Sequence, residues 1–373
     1  MQACQLDAAA VKLGSSPTDV IEYEHSYRPA SLSSDESSFA VTLRLRQRPI
    51  SPADLELGVR ELLLSSAVAA PECRALFVER VLALQANTLH RVEVVEDVDA
   101  GRICACGTLV AEPKFIHQAG TVGHIEDVVV SAGLVGKGIG ARLVRSLSAH
   151  ARRLGCYKCI VDCAEADARF YEELGFRRKE VQCVCDVPPI EGGSPNTHGF
   201  AASTYVPRAL GDGLHVRVLE EADVARGFLR LLAQLTTVGE LSSATFAERL
   251  ALLRSAPGGR PHLPLVIVDE PADKVVAAAT LFVEPKLGSG GGGGGGGGRL
   301  GHIEDVVVDG TERGRGLGRK IVECVRDAAA AAGCSRATLD CAESNLPFYE
   351  KCGFERRGVC MALYLEHDHG AAR

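Results

Sequence analysis

Hydrophobic and polar positions along the chain switch repeatedly between a two-residue period and a helical period, which predicts alternating strands and helices. Short β-branched runs predict strands at 42–46, 92–96, 103–111, 215–219, 265–268 and 275–283. Amphipathic stretches predict helices over 53–86 and 221–254. Because the two halves of the chain show the same order of segments, the pattern predicts two similar α/β units.

The segment HIEDVVV, at 124–130 and 302–308, predicts a longer strand that is polar at its start and β-branched at its end. A helix is predicted directly after it in each half. Its apolar face is formed by Ile139, Leu143, Val144, Leu147, Ala151 and Leu154, and by Leu317, Ile321, Val322, Val325 and Ala329. A buried strand, a short helix and a last strand follow in both halves. The whole pattern predicts a mixed sheet flanked by helices.

The two halves are copies of one domain. The repeated motifs are GHIEDVVV (123–130 and 301–308), DCAE (162–165 and 340–343) and EPK (112–114 and 284–286). The first two motifs recur at an offset of 178 residues, but EPK recurs at an offset of 172. Six residues have therefore entered the second copy, where nine glycines run from Gly290 to Gly298. The glycine run is predicted to interrupt the second domain and not to join the two.

Domain boundaries follow from the repeat and from unpatterned stretches rich in Ser, Pro and Gly. The predicted parts are a disordered tail (1–40), domain 1 (41–187), a linker (188–213), domain 2 (214–366, with an insertion at about 288–298) and a second tail (367–373). At 373 residues the chain is long enough for two cores.

Composition excludes several classes of function. The formal charge is −7 and there is no basic stripe, which argues against nucleic acid as a partner. No apolar run reaches the ~18 residues of a membrane span, and the first residues do not resemble a signal peptide. We therefore expect a cytoplasmic protein whose 14 cysteines are reduced. The CYKC segment (156–159) could be half of a zinc site or a redox pair, but buried thiols explain it better.

A glycine loop precedes the central helix of each copy, in LVGKGIGARLV (134–144) and ERGRGLGRKIV (312–322). Glycines allow close approach of the backbone, and the free N–H groups of the helix start attract a pyrophosphate. A dinucleotide-binding fold is the alternative, but the spacing differs from G-x-G-x-x-G. An ordinary turn before a helix is a second alternative.

Together with GHIEDVVV, DCAE and FYEKCGF, this loop resembles the GCN5-related N-acetyltransferase superfamily, and more narrowly the glucosamine-6-phosphate N-acetyltransferases. The resemblance spans 42–187 and 214–366. It implies two tandem acyl-CoA N-acyltransferase domains, acetyl-CoA as co-substrate and an amino sugar phosphate as acceptor. It also implies direct acetyl transfer, with no metal and no acetylated Cys163 or Cys341.

The reaction needs a carboxylate for the amine proton, a donor for the leaving thiolate and N–H groups for the thioester oxygen. The resemblance gives the catalytic roles to Asp162, Asp340, Tyr171, Tyr349, Asp127 and Asp305. The aspartates of DCAE would hold the amine or the sugar, and the tyrosines would face the departing sulfur. Capping aspartates, a solvated strand end and core aromatics are the structural alternatives.

The resemblance also assigns ligand-binding residues. For CoA they are Val128, Val129, Val130, Gly136, Lys137, Gly138, Ile139 and Gly140, and Val306, Val307, Val308, Arg313, Gly314, Arg315, Gly316, Leu317, Gly318 and Asn345. For the sugar phosphate they are Lys114, Phe115, Ile116, His117, Glu126, Glu304, Thr236, Lys158 and Arg336. A surface lysine and a half-buried histidine are the alternatives for Lys114 and His117.

The copies have diverged in complementary ways. The first keeps KFIHQAG, but it has Val135 where the family has Gln or Arg, and Asp167 where the second copy has Asn345. The second keeps Arg313 and Thr236, but its KFIH counterpart is the glycine run. Neither last strand shows the family's phosphate-binding cation, since Asp186 and Tyr364 stand at or near that position.

The family forms intertwined homodimers, so the fused copies are expected to form a pseudo-dimer within one chain, with further self-association possible. We expect two composite sites. One would combine the first copy's loops with Asp340 and Arg336, and the other the second copy's loops with Asp162 and Lys158. The first is expected to be the working site, because glycines cannot form a fixed phosphate pocket without a large entropic cost. An acetyltransferase for another small amine and a CoA-binding regulator are the alternative functions.

Overall fold

The computed structural model describes residues 20–27, 41–65, 74–188, 205–255, 262–287 and 299–365. The glycine run, residues 367–373 and most of the predicted linker lie outside these ranges. The strands are β1 (Ile21–Tyr27), β2 (Val41–Pro49), β3 (His90–Asp97), β4 (Arg102–Pro113), β5 (Thr121–Val130), β6 (Cys156–Cys163), β7 (Arg177–Asp186), β8 (Arg208–Gly211), β9 (Leu214–Val218), β10 (His262–Asp269), β11 (Lys274–Pro285), β12 (Arg299–Val308), β13 (Arg336–Cys341) and β14 (Glu355–Tyr364). These strands confirm every strand segment predicted from the pattern.

All the described strands form a single sheet in which the two copies exchange their last strands. The order is β1-β2-β3-β4-β5-β6-β14-β7-β13-β12-β11-β10-β9-β8. The second copy's β14 pairs with β6 of the first copy, and the first copy's β7 pairs with β13 of the second. β5–β6 and β12–β13 are parallel pairs, while the other pairs are antiparallel. The mixed sheet and the pairing of the copies within one chain agree with the prediction.

The helices of each copy cover the two faces of the sheet. They are α1 (Val59–Ser65), α2 (Arg74–Gln85), α3 (Ile116–Ala119), α4 (Ile139–Arg153), α5 (Ala168–Glu173), α6 (Phe228–Leu232), α7 (Ser243–Ser255), α8 (Leu317–Ala331) and α9 (Leu346–Lys351). The helical stretches predicted over 53–86 and 221–254 each contain two separate α-helices. Gly58, Gly227 and Gly239 have positive φ values of 80°, 90° and 81°, which interrupt a helix.

Each hydrophobic core contains residues of both copies. The core under α4 includes Val359 and Met361 of β14, and the core under α8 includes Val181 and Cys183 of β7. On the opposite face, Leu287 of the second copy packs among the first copy's α1 and α2. Neither domain therefore completes its own core.

Two boundary predictions need correction. Residues 21–27, predicted to belong to a disordered tail, form β1, which pairs with β2 over its full length. Residues 208–211, predicted as linker, form β8 at the other edge of the sheet. The alternating half-buried residues of β1 explain its order, since Tyr23 and Tyr27 pack against the core of the first copy.

Candidate active site

Two wedge-shaped gaps open in the sheet where β5 and β12 separate from their parallel neighbours. Within these strands, β5 pairs with β6 only as far as His124, and β12 pairs with β13 only as far as His302. Just beyond, Asp127 and Asp305 have positive φ values of 52° and 54° at β-bulges. The valines that follow therefore have no ladder partner across the gap, and their backbone groups can bind a ligand there.

A glycine loop and then a 15-residue helix follow each of these strands. Gly136 and Gly138 have φ values of 74° and 87°, and Gly314 and Gly316 have 82° and 77°. Side chains rarely tolerate these values, so glycine is required for the turn. The unpaired N–H groups at the helix start and the helix dipole make each loop suited to an anion such as a pyrophosphate.

The side chains of the two loops differ in their surroundings. Lys137 lies over the ring of Tyr27, with 4.9 Å between Nζ and the ring centroid. In the second copy, Arg313 is exposed and Arg315 pairs with Glu312. The second loop therefore presents an exposed cation, whereas the first copy has an exposed Val135 at this position.

The two predicted tyrosines occupy equivalent buried positions. Tyr171 and Tyr349 pack edge-on against Phe170 and Phe348, with ring centroids 4.9 Å and 5.0 Å apart. Burial raises the pKa of both hydroxyls above the ordinary value. Each hydroxyl therefore carries its proton at neutral pH and can donate a hydrogen bond.

A buried lysine of the first copy reaches the acidic pair of the second. Lys114 Nζ lies 2.8 Å from Glu112 Oε1, 3.1 Å from Glu304 Oε2 and 3.8 Å from Asp305 Oδ2. Burial disfavours the ammonium charge, but the three carboxylates outweigh it and hold the pKa of Lys114 well above its ordinary value. Lys114 is therefore a charged member of a buried ion cluster.

The second copy supplies the equivalent lysine to the first. Lys286 Nζ lies 2.9 Å from Glu126 Oε2, 3.0 Å from Glu284 Oε2 and 3.7 Å from Asp127 Oδ1. Burial raises the pKa of Asp127 and of Asp305 to about 6, although the neighbouring lysine opposes it in each case. Both aspartates are thus stronger bases than an ordinary carboxylate.

Two histidines connect the ion clusters across the centre of the sheet. His124 Nε2 lies 2.8 Å from Glu112 Oε2, and His302 Nε2 lies 2.8 Å from Glu284 Oε2. The two imidazole rings are 5.8 Å apart between centroids. Burial lowers the pKa of His302, but the hydrogen bond and the charge of Glu284 raise it to about 8. A continuous series of buried polar groups therefore joins the two acidic pairs.

Asp162 and Asp340 meet at the exchanged strands. Their carboxylates and the Cys360 thiol have atoms within 4.8 Å of one another, and each Oδ1 is buried without a hydrogen-bond partner among the described residues. The Gln182 amide donates to Asp162 Oδ2 at 2.8 Å. Burial, and then Glu126 for Asp162 and Asp162 for Asp340, raises the pKa of both carboxyls. Charges from both copies therefore influence this pair.

The predicted sugar-phosphate segment lies on the second copy. Phe115 stacks on Phe246 at 4.9 Å between centroids, and Ile116 is buried in the same apolar cluster. His117 N donates to Thr237 O at 3.0 Å, and Gln118 N donates to Val238 O at 2.7 Å. These bonds fix the segment beside Thr236, the residue predicted to bind substrate. His117 is the exposed member of the segment, whereas Lys114, Phe115 and Ile116 are buried.

Lys158 lies close to this segment, whereas its counterpart in the second copy, Arg336, forms an ion pair on the surface. The His117 ring is 4.4 Å from the Tyr157 ring, and Lys158 Nζ is 5.9 Å from the Tyr157 centroid. Burial and then the charge of Lys158 lower the pKa of His117. Arg336 Nε instead donates to Asp186 at 3.2 Å on the surface.

The composite sites are therefore assembled differently from the prediction. The first copy's loops were expected to form one site with Asp340 and Arg336, but segment 114–117 lies on the second copy, where Lys114 contacts Glu304. Burial of Phe115 among the second copy's helices gives the physical reason. Asp162 and Asp340 lie beside each other, so the assignment of each of these aspartates to the cleft of the other copy stays a prediction. Lys158 of the first copy lies near the second copy's acidic pair, because its charge lowers the pKa of Asp305.

Sequence reasoning missed several residues of this region. They are Glu112, Glu284, His124, His302, Lys286, Tyr157 and Gln182. The repeated EPK motif carried a signal for the acidic residues and the lysines, because the same charged pair recurs in a strand that is otherwise apolar. Gln182 had no signal, since its counterpart in the repeat is Cys360.

Three groups of these side chains have metal-ligand chemistry: His124 with Glu126 and His302, Glu112 with His124 and Glu304, and Asp162 with Asp340 and Cys360. In the first two groups the histidines and glutamates already form the hydrogen bonds and ion pairs described above. We assign no ion to them, and the metal-free reaction stays a prediction.

Comparison with known proteins agrees with this architecture. The sequence profile described as acetyltransferase (GNAT) family matches residues 64–176 and 229–354, one match in each copy. The chain belongs to the acetyltransferase (GNAT) family. The tandem α/β fold predicted from the sequence is therefore confirmed.

Individual relatives match one copy at a time. A glucosamine 6-phosphate N-acetyltransferase of Arabidopsis thaliana is 37% identical over 151 residues, which cover 40% of this chain and 96% of the relative. Glucosamine 6-phosphate N-acetyltransferase 1 of Oryza sativa is 43% identical over 140 residues (37% and 84%), and that of Dictyostelium discoideum 38% over 154 residues (41% and 92%). Nearly the whole length of such a relative thus corresponds to one copy in this GNAT chain.

Among the described helices of this family member, none combines the length and the apolar character that crossing a bilayer requires.

Proposed function

We propose that this protein is a glucosamine-6-phosphate N-acetyltransferase. It transfers the acetyl group of acetyl-CoA to the 2-amino group of D-glucosamine 6-phosphate, and the product is N-acetylglucosamine 6-phosphate for UDP-N-acetylglucosamine synthesis. The observation that carries the proposal is the acidic pair Glu304–Asp305, which lies at the open end of a sheet gap, contacts Lys114 and feels the charge of Lys158. The names and the 37–43% identity of the relatives support the same acceptor. The free thiols of the described cysteines fit a reducing cytoplasm.

The acidic pair Glu304–Asp305 binds the substrate ammonium group and accepts its proton. An amine of this kind has a pKa of ~8 and is mostly protonated near neutral pH, so it must lose a proton before it attacks. Burial raises the pKa of Asp305 to about 6, which brings the carboxylate closer to the amine in basicity. Asp305 accepts the proton, and Glu304 holds the ammonium form until then.

The sheet gap binds acetyl-CoA, and Tyr349 assists the departure of its sulfur. Acetyl-CoA binds with its pyrophosphate on the loop of Gly314 and Gly316 and with its thioester at the open strand end. The unpaired N–H groups beyond Asp305 stabilise the negative charge that develops on the thioester oxygen. When the C–S bond breaks, the Tyr349 hydroxyl donates a hydrogen bond to the thiolate sulfur and keeps its own proton, because its raised pKa exceeds that of a thiol. The thiolate takes up a proton from solvent as CoA leaves.

The test is the initial rate of CoA release from acetyl-CoA, measured with glucosamine 6-phosphate and with glucosamine. We expect fast release with the phosphorylated sugar and at least ~10-fold slower release with glucosamine, because a charge-assisted phosphate contact is lost. Equal rates would overturn the phosphate specificity. Acetyl-CoA binding without release on either sugar would favour a CoA-binding regulator.

A further inference from the structure

The two clefts differ in the cationic groups that surround their acidic pairs. At the second copy's pair, Lys114 and Lys158 both act on Asp305. At the first copy's pair, the cation that acts on Asp127 is Lys286, which the carboxylates of Glu126 and Glu284 already share. Lys114 is itself shared by three carboxylates, so the second cleft differs from the first by one additional cation, Lys158.

The segment that follows the EPK motif differs between the copies as well. Residues 115–119 of the first copy are fixed at the second cleft by the backbone bonds of His117 and Gln118, and by Arg249, which donates to Ala119 O. The equivalent segment of the second copy begins with Leu287, which packs on the first copy's helices. Residues 288–298 that follow are ten glycines and one serine, so they offer no charged or aromatic side chain.

The strand across each cleft, β6 in the first copy and β13 in the second, also differs in the side chains at its start. Tyr157 and Lys158 form a ring platform and a cation beside His117. The residues at the same positions of the second copy are Ser335 and Arg336. Serine has no ring, and Arg336 is paired with Asp186. Among its described residues, the first cleft thus lacks the ring platform at this position, and the cation at the equivalent position takes part in a surface ion pair.

We propose that the chain binds one sugar phosphate, in the second copy's cleft, where His117 and Lys158 of the first copy hold the phosphate group. The first cleft does not take part in sugar binding, and the first domain instead completes the neighbouring site. This inference rests on the proposed function, and it reverses the assignment expected from the sequence. Two diverged halves then form a single working site that neither half could form with a second copy of itself.

The test is titration calorimetry of the full chain with N-acetylglucosamine 6-phosphate. We expect about one equivalent bound per chain. His117→Ala with Lys158→Met should weaken binding by roughly 30-fold, since a phosphate loses two of its hydrogen-bond donors. Both side chains are partly exposed, so the variant should fold, and unchanged acetyl-CoA affinity checks this. Deleting six residues of the glycine run, which restores the length of the first copy, is the matched change at the other cleft and should leave sugar affinity within about twofold.

The outcomes of this titration distinguish failure of the single-site inference from failure of the proposed function. Two equivalents per chain, or full affinity in the double variant, would overturn the single site while leaving the proposed function intact. Loss of sugar binding after the glycine deletion would also overturn it. If neither this sugar phosphate nor glucosamine 6-phosphate binds, the proposed function fails and the inference fails with it.

Discussion

The ammonium group of Lys114, in the first copy, lies 3.1 Å from the carboxylate of Glu304, in the second. Lys286 makes the reciprocal contact with Glu126 at 2.9 Å. Each acidic pair therefore receives a counter-charge from the other domain. Because these side chains are largely buried, their charges depend on one another far more than surface charges do.

Lys114→Met should destabilise the protein by roughly 3–5 kcal/mol. The methionine fills a similar volume, but it leaves Glu112, Glu304 and Asp305 buried without their common counter-charge. The change should also abolish most acetyltransferase activity. Urea denaturation followed by circular dichroism measures the loss of stability.

A surface ion pair provides the control for this change. Arg44 pairs with Asp99, and both side chains are more than half exposed. Arg44→Met should therefore be indistinguishable from the unmodified protein. If Lys114→Met is as stable as Arg44→Met, the ion cluster does not stabilise the fold as argued.

Activity should fall below about pH 6. Asp305, whose pKa burial raises to about 6, must be ionised to accept the amine proton, so it loses this ability as pH falls through that value. The pH dependence of kcat/KM, which reports the free enzyme, is the measurement. Asp305→Asn should lower kcat by ~10²-fold or more. The surface variant Asp99→Asn should keep the full profile, and activity that persists at pH 4 in the unmodified chain would contradict the role of Asp305.

Stability should fall as pH rises through about 8 because of His302. The pKa of His302 is raised to about 8 in the folded protein, against ~6.5 for an ordinary histidine. A group whose pKa is raised by folding contributes stability below its unfolded pKa and loses it above its folded pKa, here about 2 kcal/mol. Denaturation between pH 6 and pH 9 measures the slope. His302→Gln should flatten the curve over this window, and parallel curves for the two proteins would contradict the assignment.

Much of the fold was readable from the sequence because local patterns determine it. The repeat at an offset of 178 residues and the apolar faces from Ile139 and from Leu317 placed the strands and central helices correctly. The glycine loops were also predictable, since positive φ at Gly136 and Gly314 leaves few alternatives. These features depend on residues that are near one another in the chain.

The assembly of the site was not readable, because it depends on which copy supplies each part. A repeat contains the same motifs twice, so the sequence does not say whether Lys114 faces Asp127 or Asp305. Phe115 and Ile116 decide this by packing among the second copy's helices. That contact joins segments far apart in the chain, so no local pattern indicates it. The burial of Lys114 was unpredictable for the same reason.

The exchange of the last strands makes a prediction about separated halves. β14 of the second copy lies between β6 and β7 of the first, so a fragment of residues 1–200 exposes the edge of β6 and lacks Val359 and Met361 in its core. A fragment of residues 201–373 lacks β7 in the same way. We expect each fragment to aggregate or to remain largely unfolded alone, and the two together to form a one-to-one complex with restored activity. Size-exclusion chromatography of fragments refolded separately and together tests this, with the intact chain carried through the same refolding as the control. A stable, folded monomer of either fragment would show that the exchanged strand is dispensable for the core.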